Sequence, residues 1–167
     1  SDGSIRVHAL GVDKSGRSMV ARRRGYEVSS WSARGEVGDA SAVAAVRLRP
    51  GREECAHVLI AWTDGALALW HLHERRSCAT STSARDATNG ETLTCAEWLD
   101  ANSVVTGHSN GVVRVWRVRV SQEEAAAPGD FVELQSVRPH QTVDPSHNGD
   151  LAKIRGLKTY VFDDDDV

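Results

Sequence analysis

The chain of 167 residues is long enough for one domain with a real core, and its 40% apolar and 26% charged residues are ordinary for a soluble globular protein. A net charge of −3 leaves no overall basic field to draw it to nucleic acid or anionic lipid, and no apolar run approaches the length of a membrane span. Cys55, Cys78 and Cys95 are sparse and odd in number, which argues against a disulfide framework and fits buried thiols in a reducing compartment. With no C-x-x-C pair they give no zinc site.

Three segments align without gaps. The first, Ser1 to Leu10, opens on Ser1-Asp2-Gly3 and continues through Ile5-Arg6-Val7 to His8. The second runs from Thr63-Asp64-Gly65 to Trp70, and the third from Ser109-Asn110-Gly111 to Trp116. Asp-Gly and Asn-Gly favour tight hairpin turns, because glycine takes positive φ freely and Asp or Asn tolerates it. Of the nine aromatic residues five are tryptophan, and two of those end their repeats at the same offset. The opening reads as the middle of a turn, with neither an initiator Met nor a signal-peptide pattern, so the chain is expected to be a piece of a longer one.

The segment from Gly11 to Ala40, rich in Gly, Ser and Arg, reads as an insertion, because the first two turns lie 62 residues apart and the last two 46. Arg24 to Ser32 is expected to return as an outer strand, with Trp31 at its edge. Ala42 to Leu48 and His57 to Trp62 then lead into the second turn as strands. Thr92 to Trp98 and Ser103 to Gly107 do the same for the third. Their near-continuous apolar character predicts sheets covered on both faces. Thr82 to Gly90 reads as a polar connection and Phe131 to Val137 as a further outer strand. Gln141 to Asp150 is turn-rich, Leu151 to Phe162 is a candidate start of another sheet, and Asp163 to Asp166 reads as a solvated end.

The pattern resembles WD40 repeats, in which the second and third strands of a blade flank an Asp-Gly turn and the third ends in Trp. Gly107 to Trp116, with its lead-in Glu97-Trp98 and Val104-Val105-Thr106, is more specifically similar to the WD40 region of BEACH-domain proteins. That resemblance implies an all-β, incomplete WD40-type β-propeller of about two to three four-stranded antiparallel blades. Its parts are the end of a truncated blade plus insertion over 1–40, a blade and connection over 41–90, a blade with a polar insertion over 91–140, and a linker, a possible next blade and an acidic tail over 141–167. Closed propellers usually have four to eight blades. The remaining blades must come from a longer parent chain or from a partner.

The repeat positions Asp2, Gly3, Asp64, Gly65, Trp70, Thr106, Asn110, Gly111 and Trp116 are read as structural. Such blades often carry a buried tetrad of Trp, a hydroxyl residue, a turn Asp and a His before the first strand. Here Asn110 replaces Asp, no His lies between Arg85 and Thr92, and the second repeat has no hydroxyl in its middle strand. Packing is therefore expected to matter more than that hydrogen-bond network.

No nucleophile elbow, phosphate-binding loop, H-E-x-x-H or dinucleotide fingerprint is present, so the chain is expected not to be an enzyme and to need no cofactor or metal. A propeller-based enzyme is the weakest alternative, since the proposed inner strands carry mostly Ala, Val and Leu. His57, His71 and His73 read as strand-end histidines rather than metal ligands, and His108 as packing against its hairpin. Arg22-Arg23-Arg24-Gly25 resembles the Arg-Arg-Gly motif of phosphoinositide-binding propellers, which implies Arg23 and Arg24 as lipid-phosphate ligands. The motif departs from the family pattern in having Arg22 where Phe or Leu is usual. The expected function is a non-catalytic scaffold that binds other proteins, with phosphoinositide binding as the alternative. The resemblance to BEACH-domain proteins implies work in vesicle traffic or autophagy, in the cytoplasm or at the periphery of endomembranes.

Overall fold

In the computed structural model, residues 3–8, 10–12, 14, 15, 18–20, 25–29, 33, 41–51, 56–81, 91–120, 127–138, 156 and 158 are described. Twelve strands run through them: β1 (Ile5–Val7), β2 (Leu10–Val12), β3 (Ser18–Val20), β4 (Tyr26–Val28), β5 (Val43–Leu48), β6 (His57–Trp62), β7 (Leu67–His71), β8 (Arg76–Thr80), β9 (Leu93–Trp98), β10 (Ser103–His108), β11 (Val113–Arg119) and β12 (Gly129–Val137).

Two antiparallel meanders, β5-β6-β7-β8 and β9-β10-β11-β12, form two four-stranded blades. Their outer strands meet in a short parallel bridge, Ala79 opposite Gly129 and Thr80 opposite Asp130, which joins them into one eight-stranded sheet. A separate antiparallel pair, β1 with β4, makes a two-stranded half-blade packed on the first blade. The segment read as an insertion contains the β2–β3 hairpin.

Paired residues share a face, and alternate residues on a strand point to opposite faces. That rule explains the continuous apolar runs. In the first blade Val58, Ile60, Trp62, Ala68 and Trp70 cover one face and pack with Ile5, Val7, Tyr26 and Val28. Leu59, Ala61, Leu67 and Leu69 cover the other and pack with Trp98, Val104, Trp116 and Phe131 of the second blade. The β6–β7 hairpin is thus buried on both sides, and Leu59, Ile60, Ala68 and Leu69 are fully buried. Burying each of the three leucine and isoleucine side chains contributes roughly 1.5–3 kcal/mol of hydrophobic free energy.

Two hairpin turns share one geometry. The Gly65 N–H donates to the Trp62 carbonyl at 2.9 Å and the Trp62 N–H to the Ala66 carbonyl at 2.9 Å. The Gly111 N–H donates to His108 at 3.1 Å and the His108 N–H to Val112 at 3.0 Å. Gly65 and Gly111 take positive φ of 89° and 79°, whereas Asp64 and Asn110 do not. The loops are therefore three-residue turns closed by a left-handed glycine, not two-residue turns with both central residues left-handed. The Asp64 and Asn110 Oδ1 atoms accept the backbone N–H two residues on, at 3.1 and 3.0 Å.

Candidate functional site

The polar chemistry of the described residues is concentrated in the second blade, on the face turned to the first. Thr106, His108, Arg114 and Trp116 share that face: β10 supplies the first two and β11 the others, with Thr106 opposite Arg114 and Val104 opposite Trp116. The Trp116 Nε1–H donates to Thr106 Oγ1 at 2.9 Å, and Thr106 Oγ1 lies 2.9 Å from His108 Nε2. An indole nitrogen can only donate, so the threonine hydroxyl accepts there and keeps its proton and a second lone pair for either tautomer of His108.

His108 Nδ1 faces Glu91 Oε1 at 2.9 Å, close but off the line of a good hydrogen bond. The other Glu91 oxygen takes Arg114 at 2.8 Å, and Arg114 reaches on to Glu133 at 3.0 Å. Burial outweighs the attraction of Glu91 and lowers the His108 pKa to about 4, with Arg114 pushing the same way. The ring is neutral near pH 7.

This chain of bonds corrects the expectation that packing replaces a polar network in the third repeat. The histidine comes from β10 itself, two residues after Thr106, instead of from the segment before the first strand. The spacing Thr106-x-His108 was a readable signal, since residues two apart on a strand share a face. Glu91 was not readable, because its approach depends on how the chain enters β9.

The first blade has no such network. By the shared turn, Ile60 stands where Thr106 does, Trp62 where His108 does, and Ala68 where Arg114 does. Its tryptophans bond across the seam instead: Trp62 Nε1 donates to the Gly3 carbonyl at 3.0 Å, and Trp70 Nε1 to the Tyr26 hydroxyl at 3.3 Å. Tyr26 in turn donates to the Leu72 carbonyl at 2.6 Å. Gly3 holds a positive φ of 67°, and a Cβ there would overlap the Ser41 carbonyl oxygen. A side chain at this position is excluded twice over, by conformation and by contact.

The repeat residues therefore contact one another and the neighbouring blade. Asp2, Arg23 and Arg24 lie outside the described residues, as do Cys55, Trp31 and the segments 82–90 and 139–155. Gly25, next to the arginine pair, is described: a Cβ on it would come within 2.8 Å of the Val7 carbonyl oxygen. Cys78 and Cys95 are buried free thiols. The rings of His57 and His71 meet edge to face at 4.6 Å, and those of His71 and His73 lie 6.1 Å apart. His71 Nδ1 accepts the Glu74 N–H at 3.1 Å. Among the described residues no three His, Cys, Asp or Glu side chains converge in a way that could hold a metal ion.

No family model matches the chain. Among solved structures, Kluyveromyces lactis Hsv2 is similar at 12% identity and a TM-score of 0.51, over 81% of this chain and 41% of that one. The likeness shows a fold. It is an incomplete, all-β WD40-type propeller. The same Hsv2 with loop 6CD replaced by a Gly-Ser linker matches at 11% identity and 0.49, over 77% of this chain and 44% of that one. The Cps50 (Swd1) β-propeller domain of Myceliophteria thermophila matches at 11% identity and 0.48, over 77% and 42%. The chain spans less than half the length of each of these solved chains.

Proposed function

We propose that this chain is part of a protein-interaction scaffold, the propeller region of a BEACH-type protein of vesicle traffic or autophagy, acting in the cytoplasm or at the periphery of endomembranes. The observation that carries the scaffold reading is where the polar groups go. Trp116, Thr106, His108, Glu91 and Arg114 are spent on one another inside a seam, and Trp62 and Trp70 on the neighbouring half-blade. These groups stabilise blades, and recognition falls to loops and exposed surface. The BEACH assignment rests on the resemblance of Gly107 to Trp116 and its lead-in. Proximity labelling in cells with the intact parent protein tests both. A reproducible set of proteins that needs this region supports the scaffold. No protein enriched over a blade-deleted control overturns it, and a parent chain without a BEACH domain upstream overturns the assignment.

A second reading rests on the resemblance of Arg22-Arg23-Arg24-Gly25 to an Arg-Arg-Gly motif. Arg23 and Arg24 directly precede Gly25 in the sequence, and Gly25 packs too tightly against Val7 to carry a side chain. In this reading Arg23 and Arg24 hold the phosphates of a phosphoinositide. Flotation with phosphoinositide-containing liposomes should then be lost in an Arg23→Ala/Arg24→Ala variant. Unchanged flotation, or none with the parent chain, rejects the lipid reading.

A further inference from the structure

Five large apolar side chains among the described residues are exposed, and two of them, Leu48 (58%) and Leu99 (40%), line one groove. It lies where the β5–β6 connection meets the β9–β10 turn, with Pro50, Ala101, Glu97 and Asp100 completing its walls. Its volume of about 360 Å³ is at the small end for a ligand pocket. It suits one or two side chains of an extended segment better than a cofactor.

We propose that this groove docks an extended protein segment carrying an aliphatic side chain next to a lysine or arginine. The inference rests on the scaffold reading and assigns that scaffold one binding surface. Clustered exposed leucines call for an apolar side chain. The charge of the lining calls for a cation: among the described residues the groove is lined by two carboxylates and by no basic side chain. Glu97 is met by Arg47 at 2.7 Å from outside the lining. Asp100 has no ion-pair partner among the described residues. Its carboxylate accepts the Asn102 N–H at 2.6 Å, and that bond, ahead of those from Ser103 and the weaker attraction of Arg117, holds its pKa below the usual carboxylate value. Asp100 is thus a fixed, ionised acceptor at the lip.

The groove is preformed. The Arg49 guanidinium, on the first blade, donates to the Ala101 carbonyl at 2.6 Å and to Asn102 Oδ1 at 2.8 Å, both on the second. Gly51, with φ of 89°, turns the facing loop toward Ala101, whose methyl a Cβ on Gly51 would meet at 3.6 Å. A segment docking here meets walls already held in place, which lowers the ordering cost of binding.

Trp98 also borders the groove, and its buried indole N–H has no hydrogen-bond partner among the described residues. Its resonance is a sharp local reporter. The test uses the 167-residue chain and three fluorescein-labelled octapeptide pools. Their fixed cores are Leu-x-Arg, Leu-x-Glu and Ser-x-Arg, and all other positions are Gly, Ser or Ala. The Leu-x-Arg pool should bind at least about threefold more tightly than either of the others and should shift the Trp98 indole resonance. Asp100→Asn keeps the oxygen that caps the turn and removes the charge, so it should abolish the preference for Arg over Glu. Leu99→Ser should weaken the Leu-x-Arg pool roughly tenfold.

Equal binding of the three pools, or an Arg preference unchanged by Asp100→Asn, overturns the proposal. So does self-association of the chain that Leu48→Ser and Leu99→Ser abolish, because the occupant would then be a second copy. If cellular partners survive Asp100→Asn and Leu99→Ser, the groove falls while the scaffold stands. If the intact protein enriches no partners, the scaffold itself falls.

Discussion

The two seams of this molecule place a tryptophan at the same repeat position and satisfy it in opposite ways. In the seam between the half-blade and the first blade, Ile60 and Ala68 are apolar, and the Trp62 and Trp70 N–H groups reach across to Gly3 and Tyr26. In the seam between the first and second blades, Trp116 stays within its own blade and begins a chain through Thr106, His108 and Glu91. A buried donor must find an acceptor. The first solution ties two blades together, and the second makes one blade self-sufficient. Divergent repeats can therefore keep a propeller seam intact without keeping its residues.

The largest effect should separate two equivalent positions. Leu69 is fully buried in the seam between blades, whereas Val115, at the same place in the next repeat, is half-buried outside that core cluster. Leu69→Ala should cost about 4 kcal/mol, by lost burial plus the cavity left behind, and Val115→Ala only about 1 kcal/mol. Urea denaturation of both variants measures the difference. Equal losses would mean that the seam is not where the chain holds together.

From pH 7 to 4.5 acid should act chiefly on the second seam. Unfolded His108 titrates near the ordinary histidine value of 6.5, and folded His108 near about 4. Between these values the unfolded chain binds a proton that the native chain does not. Stability is therefore full above pH 6.5, falls as pH drops through that window, and levels off below about 4. At ~1.4 kcal/mol per pH unit the loss is on the order of 3 kcal/mol. Urea midpoints taken from pH 7 to pH 4.5 should show the fall in the parent chain and lose most of it in His108→Gln. The same pH dependence in both proteins would place the acid sensitivity elsewhere.

Removing one hydroxyl from each seam compares the two solutions directly. Thr106→Val strips both Trp116 and His108 of a buried partner and should cost about 2 kcal/mol. Tyr26→Phe strips Trp70 and the Leu72 carbonyl of a part-buried partner and should cost about 1 kcal/mol. The second loss should also loosen the half-blade from the first blade, seen as faster amide exchange in β1 and β4 with β9 to β12 unchanged. Uniform exchange across all three would show that the seam bond does not join separable parts.

Much of the strand order was legible because it depends on local pattern. His57 to Trp62 is β6 over those residues, and Thr92 to Trp98 differs from β9 by one residue. Gly-closed turns punctuate the chain, and runs buried on both faces have no other home. The β8 strand, Arg-Ser-Cys-Ala-Thr, has too little alternation to stand out, and the β2–β3 hairpin was hidden inside what reads as an insertion. The polar seam was half legible. Thr106 and Trp116 follow from the repeat and His108 from its two-residue spacing, but Glu91 and Arg114 become partners only when the strands are in register. The groove was not legible at all, because Leu48 and Leu99 sit 51 residues apart and are brought together by the stacking of two blades.

The smallest effect concerns the turn where the repeats differ. Asn110 stands where Asp64 does, and a repeat-based reading treats it as a departure. Both side chains accept the backbone N–H two residues on, at nearly equal distance, and in both turns only the following glycine takes positive φ. An oxygen acceptor is all that the turn requires of this position, and the amide supplies one as well as the carboxylate does. Asn110→Asp should therefore change stability by less than about 0.5 kcal/mol, whereas Asn110→Ala, which removes the acceptor, should cost about 1 kcal/mol. Thermal denaturation of the two variants side by side measures this. A gain of more than 1 kcal/mol from Asn110→Asp would show that the second blade is waiting for a carboxylate, and that its histidine–glutamate chain is an incomplete substitute for the family tetrad.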